Sequence, residues 1–254
     1  MINYLTPLLA LTSSYNFIAP LNVALLTPKE VDEKLDTILI FTPFDKGVPK
    51  HFSFDVDGSK KKIYFAVFSV SATNYLNDKI ISTSKNSKDK FTYTPKSLAK
   101  FFSIIKSEKE KKGIEADIIY IPDPDQRDIS KKLLKIQGYK IENMNNFLDN
   151  NPMIFCPNPT VNATDSKSNT FIPCSTDYKN LKSMLDKVEY KKRFPWSKVD
   201  KTKVMAIPLG QFINTLNTSE EENIKKIRVL PTPSTLEIIN KINKQEMNKQ
   251  DKSN

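Results

Sequence analysis

Apolar positions along this chain follow two periods that trade places. Phe52, Phe54 and Val56 alternate with polar neighbours, which predicts a half-buried strand. Short unbroken apolar runs at 37–41, 63–68, 153–157 and 171–175 read as buried strands, the first stopped by Pro43. Leu98, Phe101, Phe102 and Ile105 recur at the spacing of one helical face, as do Tyr178, Leu181, Met184, Leu185 and Val188. Thr27-Pro28-Lys29-Glu30 is a helix start, with a Thr cap, Pro at the first position and Glu at the third. A short helix is expected over 71–80 with Tyr75 and Leu76 inward, and a mobile loop over 82–90.

The most informative run is Asp117-Ile118-Ile119-Tyr120-Ile121-Pro122-Asp123-Pro124, a strand that ends at a proline and turns into a capped helix. It returns as Lys226-Ile227-Arg228-Val229-Leu230-Pro231-Thr232-Pro233. At one constant offset Ile118 matches Ile227, Ile121 matches Leu230, Ile129 matches Ile238 and Lys132 matches Lys241. Pro124 and Pro233 take the first helical position, where a missing N–H is harmless. Gln126 completes a capping-box pattern with Asp123. Asp123, Asp125 and Asp128 could be read as metal ligands. Their counterparts are Thr232, Ser234 and Glu237, and caps survive that exchange where a metal site would not.

Other pieces repeat too. Leu39-Ile40-Phe41-Thr42-Pro43 is echoed by Met153-Ile154-Phe155-Cys156-Pro157, and the helix of Leu98, Phe101, Phe102 and Ile105 by Leu209, Phe212, Ile213 and Leu216. The fold class expected is therefore α+β, two similar halves from an internal duplication related by a pseudo-two-fold. The divisions read as an N-terminal apolar segment and short helix over 1–34, repeats over 35–140 and 141–245, and a fraying polar tail over 246–254. Residues 1–27 carry no charge, but Pro7, Pro20 and several polar residues interrupt the run a membrane span needs. A secretory signal would start with a basic region, which is absent. A segment packed on the domain, or the end left after presequence removal, fits better. A peripheral membrane contact lacks the usual basic face.

Composition changes this picture little. The net charge of +10 invites nucleic acid as a partner. Of 39 basic residues only Arg127, Arg193 and Arg228 are arginines, the residue of bidentate base and phosphate contacts, so the charge argues weakly for nucleic acid. The basic, aromatic stretch 191–196 reads as a solvated loop before it reads as a stacking platform. With one histidine, His51, and no Cys-x-x-Cys spacing, no zinc site or Ser-His-acid triad is expected. Five glycines leave little material for a phosphate loop. No enzyme, cofactor or metal is expected. Cys156 and Cys174 are the only cysteines. They are read as two partly buried free thiols, or as a disulfide if their strands are neighbours.

The order strand, hairpin strand, helix, then strand–Pro–x–Pro–helix, present twice, resembles the Tic twenty-two family of plastid protein import. The residues that carry the resemblance are Ile118 to Gln126, Met153-Ile154-Phe155 and the strand–helix from Phe171 to Leu185. It implies a non-enzymatic body of two related halves with apolar grooves, acting as a chaperone-like component for unfolded preproteins beside other translocon subunits. It also implies a soluble or peripheral place in the intermembrane space of a plastid envelope. The Lys/Asn-rich composition points to an apicoplast. A groove would draw on Phe101, Phe102, Ile105, Phe212, Ile213 and Leu216, with at least half of these expected in the core.

Overall fold

The computed structural model describes residues 25–45, 48–56, 59–83, 92–112, 116–158, 160–187 and 204–250. Helix α1 (Pro28–Asp36) starts as its sequence dictates: Glu30 N–H donates to the Thr27 hydroxyl and Thr27 N–H donates to the Glu30 carboxylate. The expected segment before it, residues 1–24, lies outside the described residues, as do 84–91 and the basic stretch 188–203.

The architecture is α+β, with two sheets. The first holds β1 (Leu39–Asp45), β2 (Val48–Pro49), β3 (His51–Val56), β4 (Ser59–Val67), β5 (Tyr93–Ser97) and β6 (Ala116–Ile121). The second holds β7 (Met153–Pro157), β8 (Ala163–Thr164), β9 (Thr170–Ser175), β10 (Val204–Pro208) and β11 (Ile227–Leu230). Four strands of each sheet share one plan. β1 pairs antiparallel with β5 and β4, and β4 pairs parallel with β6. Likewise β7 pairs antiparallel with β10 and β9, and β9 pairs parallel with β11. The first residue of the helix after each outer strand makes the same bond: Leu98 N–H to Ile38 O and Leu209 N–H to Pro152 O, each 2.8 Å. The match is compatible with an internal duplication.

Strand alternation sorts side chains to two faces. Ile40, Tyr64 and Ala66 of the first sheet and Ile154, Ile172 and Val229 of the second join one shared core. Helices α1, α3 (Leu98–Lys112), α7 (Leu209–Thr218) and α8 (Glu222–Lys226) contribute to that core. The odd positions face outward. Phe41, Phe65 and Val67 are covered by α2 (Val70–Thr83) through Ala72 and Leu76, and by Ile238 of α9 (Pro233–Gln250). Phe155, Val204 and Ala206 are covered by α4 (Arg127–Ile136), α5 (Met144–Asn150) and α6 (Tyr178–Lys187) through Leu133, Leu148 and Leu181. Thus the helix after each Pro-x-Pro turn crosses over: α4 packs on the second sheet and α9 on the first.

Several expectations need correction. Residues 93–97 and 204–208 are strands, where the sequence pattern predicts only the helices that follow them. Pro43 does not stop β1. Its carbonyl accepts from Lys50 N–H at 2.7 Å, away from β5, so its missing donor costs the ladder to β5 nothing. Tyr75 is 51% exposed rather than inward. Gln126 does not complete a capping box: it is buried, and its Oε1 accepts from Tyr178 N–H at 3.0 Å, joining the two halves. Asp123 does cap, accepting from Asp125 N–H at 3.0 Å, and Thr232 accepts from Thr235 N–H at 3.2 Å. Finally, Cys156 and Cys174 are joined in a disulfide, not free. They lie opposite each other on neighbouring antiparallel strands, with Cα atoms 4.4 Å apart, which brings the thiols together.

Candidate functional site: the two crossover helices and an apolar depression

Helices α3 and α7 each lie against the shared face of their own sheet, between parallel strands. Their apolar stripes therefore face inward. Phe101 and Leu216 are wholly buried, Phe212 is 2% exposed and Ile105 6%. In this conformation those four offer a polypeptide almost no surface beyond the edges of Phe212 and Leu216 in the depression described below. The aromatic character of Phe101 and Phe212 and the place of all four in the repeat make them groove candidates, but apolar residues at this helical spacing also build core. Phe102 and Ile213 differ. Each follows the buried aromatic by one position, which turns it about 100° round the helix. Both are half-buried and pack on the rim of the shared core.

A small depression opens beside Ile213's helix. Ile207, Phe212, Thr215, Leu216, Ile224 and Ile227 line it, with a volume of about 20 Å³, enough for a methyl-sized group. Ile224 and Ile227 flank the α8–β11 junction, so the depression exists only because β10, α7, α8 and β11 meet there. The junction's edge is cationic. Lys34 Nζ donates to the Lys225 carbonyl, and burial, reinforced by nearby Arg228, lowers its pKa. Arg228 stacks over Phe171 at 4.6 Å and pairs with Asp165 at 3.3 Å. Asp165 also accepts from the backbone of Lys167 and Asn169, and these bonds hold its pKa below the ordinary carboxylate value.

A second cleft, of similar size, lies where α4 and α5 meet the first Pro-x-Pro turn, lined by Phe68, Pro122, Gln126, Leu148 and Pro152 among others. Arg127 and Asp149 bridge its rim at 3.0 Å. Sequence reasoning missed a further set of apolar side chains: Ile136 is 72% exposed, Leu236 44% and Val70 37%. Ile136 directly follows the inward pair Leu133-Leu134 and one more residue, and that phase was the available signal for an outward position.

The far edges of the sheets are closed in a way that bears on polypeptide pairing. Gln137 Nε2 donates to Ala206 O at 3.1 Å, and Gln137 Oε1 accepts from Ala206 N–H at 2.8 Å. One side-chain amide thus makes both bonds that another strand would make to β10 at Ala206. Gly138, with φ +82°, ends α4 in a conformation few other residues adopt, and so turns the chain back over β10. Tyr139 then donates to Gln211 at 2.6 Å. On the equivalent strand β5, Pro95 stands where Ala206 does and offers no N–H.

Among the described residues no group of His, Cys, Asp and Glu could hold a metal ion. None of the described helices is long and apolar enough to cross a membrane.

The class defined by this geometry is a two-sheet α+β body with exchanged outer helices and a shared core. No protein-family model and no curated protein matches the sequence. Two solved structures share the fold. Anabaena Tic22, a protein-transport protein, is 15% identical with a TM-score of 0.65, over 85% of this chain and 98% of its own. Tic22 from Plasmodium falciparum is 18% identical with a TM-score of 0.56, over 84% of this chain and 97% of its own. The fold of this chain is the Tic22 fold.

Proposed function

We propose that this chain is a non-enzymatic, chaperone-like component of protein transport into a plastid, one that holds unfolded preproteins. The observation that carries the reading is the shared fold, which spans most of this chain and nearly all of both Tic22 structures. The likeness to Tic22 from Plasmodium falciparum, together with the Lys/Asn-rich composition, supports a plastid, and an apicoplast in particular. The intermembrane space, other translocon subunits and a peripheral membrane contact belong to the same proposal. The surface for a client is the rim formed by Phe102, Ile213 and the depression at Ile224 and Ile227, with Phe101, Ile105, Phe212 and Leu216 as the packing beneath it.

The test is suppression of aggregation of a heat-unfolding client at near-stoichiometric ratio, at low and high salt. Apolar capture persists in high salt, whereas attraction of a polyanion to the lysines collapses. The expected result is protection at both, weakened by Phe102→Asp or Ile213→Asp while each variant keeps its circular dichroism. No protection at either salt would overturn the chaperone reading and leave a structural adaptor. Protection at low salt only would move nucleic-acid binding ahead of it.

A further inference from the structure

We propose that the Cys156–Cys174 pair is an oxidative modification site, closed during folding and before the shared core forms, by thiol–disulfide exchange with an oxidoreductase. This stands independently of the polypeptide-binding reading. Three observations carry it. Cys156 and Cys174 are 4% and 0% exposed and belong to the core shared by both sheets. No redox partner can reach either sulfur once that core has formed. They are the only cysteines in the chain, so no internal exchange can install or shuffle the bond.

The third observation is the comparison within the molecule. The register that sets Phe155 opposite Ser175 sets Cys156 opposite Cys174, and the register that sets Phe41 opposite Val67 sets Thr42 opposite Ala66. The first sheet has the same plan and the same position without the bond. The strand plan therefore does not demand a disulfide there. Reducing compartments keep such thiols reduced, so closing the bond calls for an oxidising environment while this chain folds.

The step balances as thiol–disulfide exchange. The thiolate of one cysteine attacks a disulfide of the oxidoreductase and forms a mixed disulfide. The second cysteine's thiolate attacks that bond, closing Cys156–Cys174 and releasing the oxidoreductase as a dithiol. Two electrons and two protons pass from the chain to its partner.

The experiment uses the full chain, exported to an oxidising compartment of a host cell or retained in its reducing cytosol, and quenched in acid. Thiols are then counted by the mass added by a maleimide-coupled polyethylene glycol in guanidinium. The exported folded chain is expected to take up label only after reduction. A second arm treats the native oxidised chain with dithiothreitol and follows bond loss. Reduction is expected at least about 100-fold more slowly than in guanidinium, because access requires opening of the core. In a third arm the reduced, unfolded chain is refolded with a purified disulfide isomerase in its oxidised form, which should raise the yield of native oxidised protein when present from the start and not when added after collapse. Free thiols in the exported folded chain would overturn the proposal. So would native and unfolded chains reduced at equal rates, or an isomerase that works equally well when added late.

Discussion

Replacing Gln137 removes the plug from the β10 edge without touching the hydrophobic core. Gln137 caps the C-terminus of α4, so helix propensity does not enter. Its amide makes two hydrogen bonds to Ala206, at 2.8 and 3.1 Å, and Ala206 is wholly buried. Each such bond contributes about 1 kcal/mol net, and a buried backbone group left without a partner costs about 1–3 kcal/mol. Gln137→Ala should then destabilise by about 2–4 kcal/mol, a large part of the roughly 5–15 kcal/mol typical of a folded protein. Equilibrium urea unfolding checks this, read as a lower midpoint with an unchanged slope. Gln137→Glu separates the two bonds. A carboxylate still accepts from Ala206 N–H but sets a negative oxygen against Ala206 O, which favours the protonated acid in the folded state. A carboxyl whose pKa is raised on folding stabilises most at low pH and loses that stability as pH rises. The Glu variant should therefore regain much of its loss on acidification relative to Gln137→Ala. A Gln137→Ala change under about 0.5 kcal/mol, within the range of ordinary surface substitutions, would refute the reasoning, since the edge would then be closed by something else.

Two further outcomes follow from the same structure. The Thr42 hydroxyl is wholly buried and has no hydrogen-bond partner among the described residues, so Thr42→Val should raise stability by about 1 kcal/mol in urea or thermal unfolding. Burial pushes Tyr93 up to about 12, and Tyr120 and Tyr139 also upward. Unfolded tyrosines ionise near pH 10, so the unfolded chain sheds these protons first and stability should fall as pH rises from about 10 to about 12. Absorbance at 295 nm should show part of the tyrosine titration arriving only with alkaline unfolding.

Local signals alone determined much of this protein. The Thr27–Glu30 cap, the Asp123 and Thr232 caps behind their prolines, the alternating strands and the repeated strand–Pro–x–Pro–helix unit are all decided within a few residues of chain. That is enough to name an α+β body of two similar halves. Tertiary structure decided everything that depends on which faces meet. Strands β5 and β10 are strands because β1 and β7 pair with them, which overrides what their own five residues announce. The helical stripe of Phe101, Ile105, Phe212 and Leu216 was legible, but a stripe looks the same whether it lines a groove or fills a core; only the packing of two sheets on one core put it inside. Gln126 reads locally as the capping-box partner of Asp123 and Gln137 carries no local signal; their actual partners, Tyr178 and Ala206, are distant in the chain. The crossing of α4 and α9 to opposite sheets, and the meeting of Cys156 with Cys174, are likewise long-range outcomes, fixed by register and by the burial of apolar faces that no local window contains.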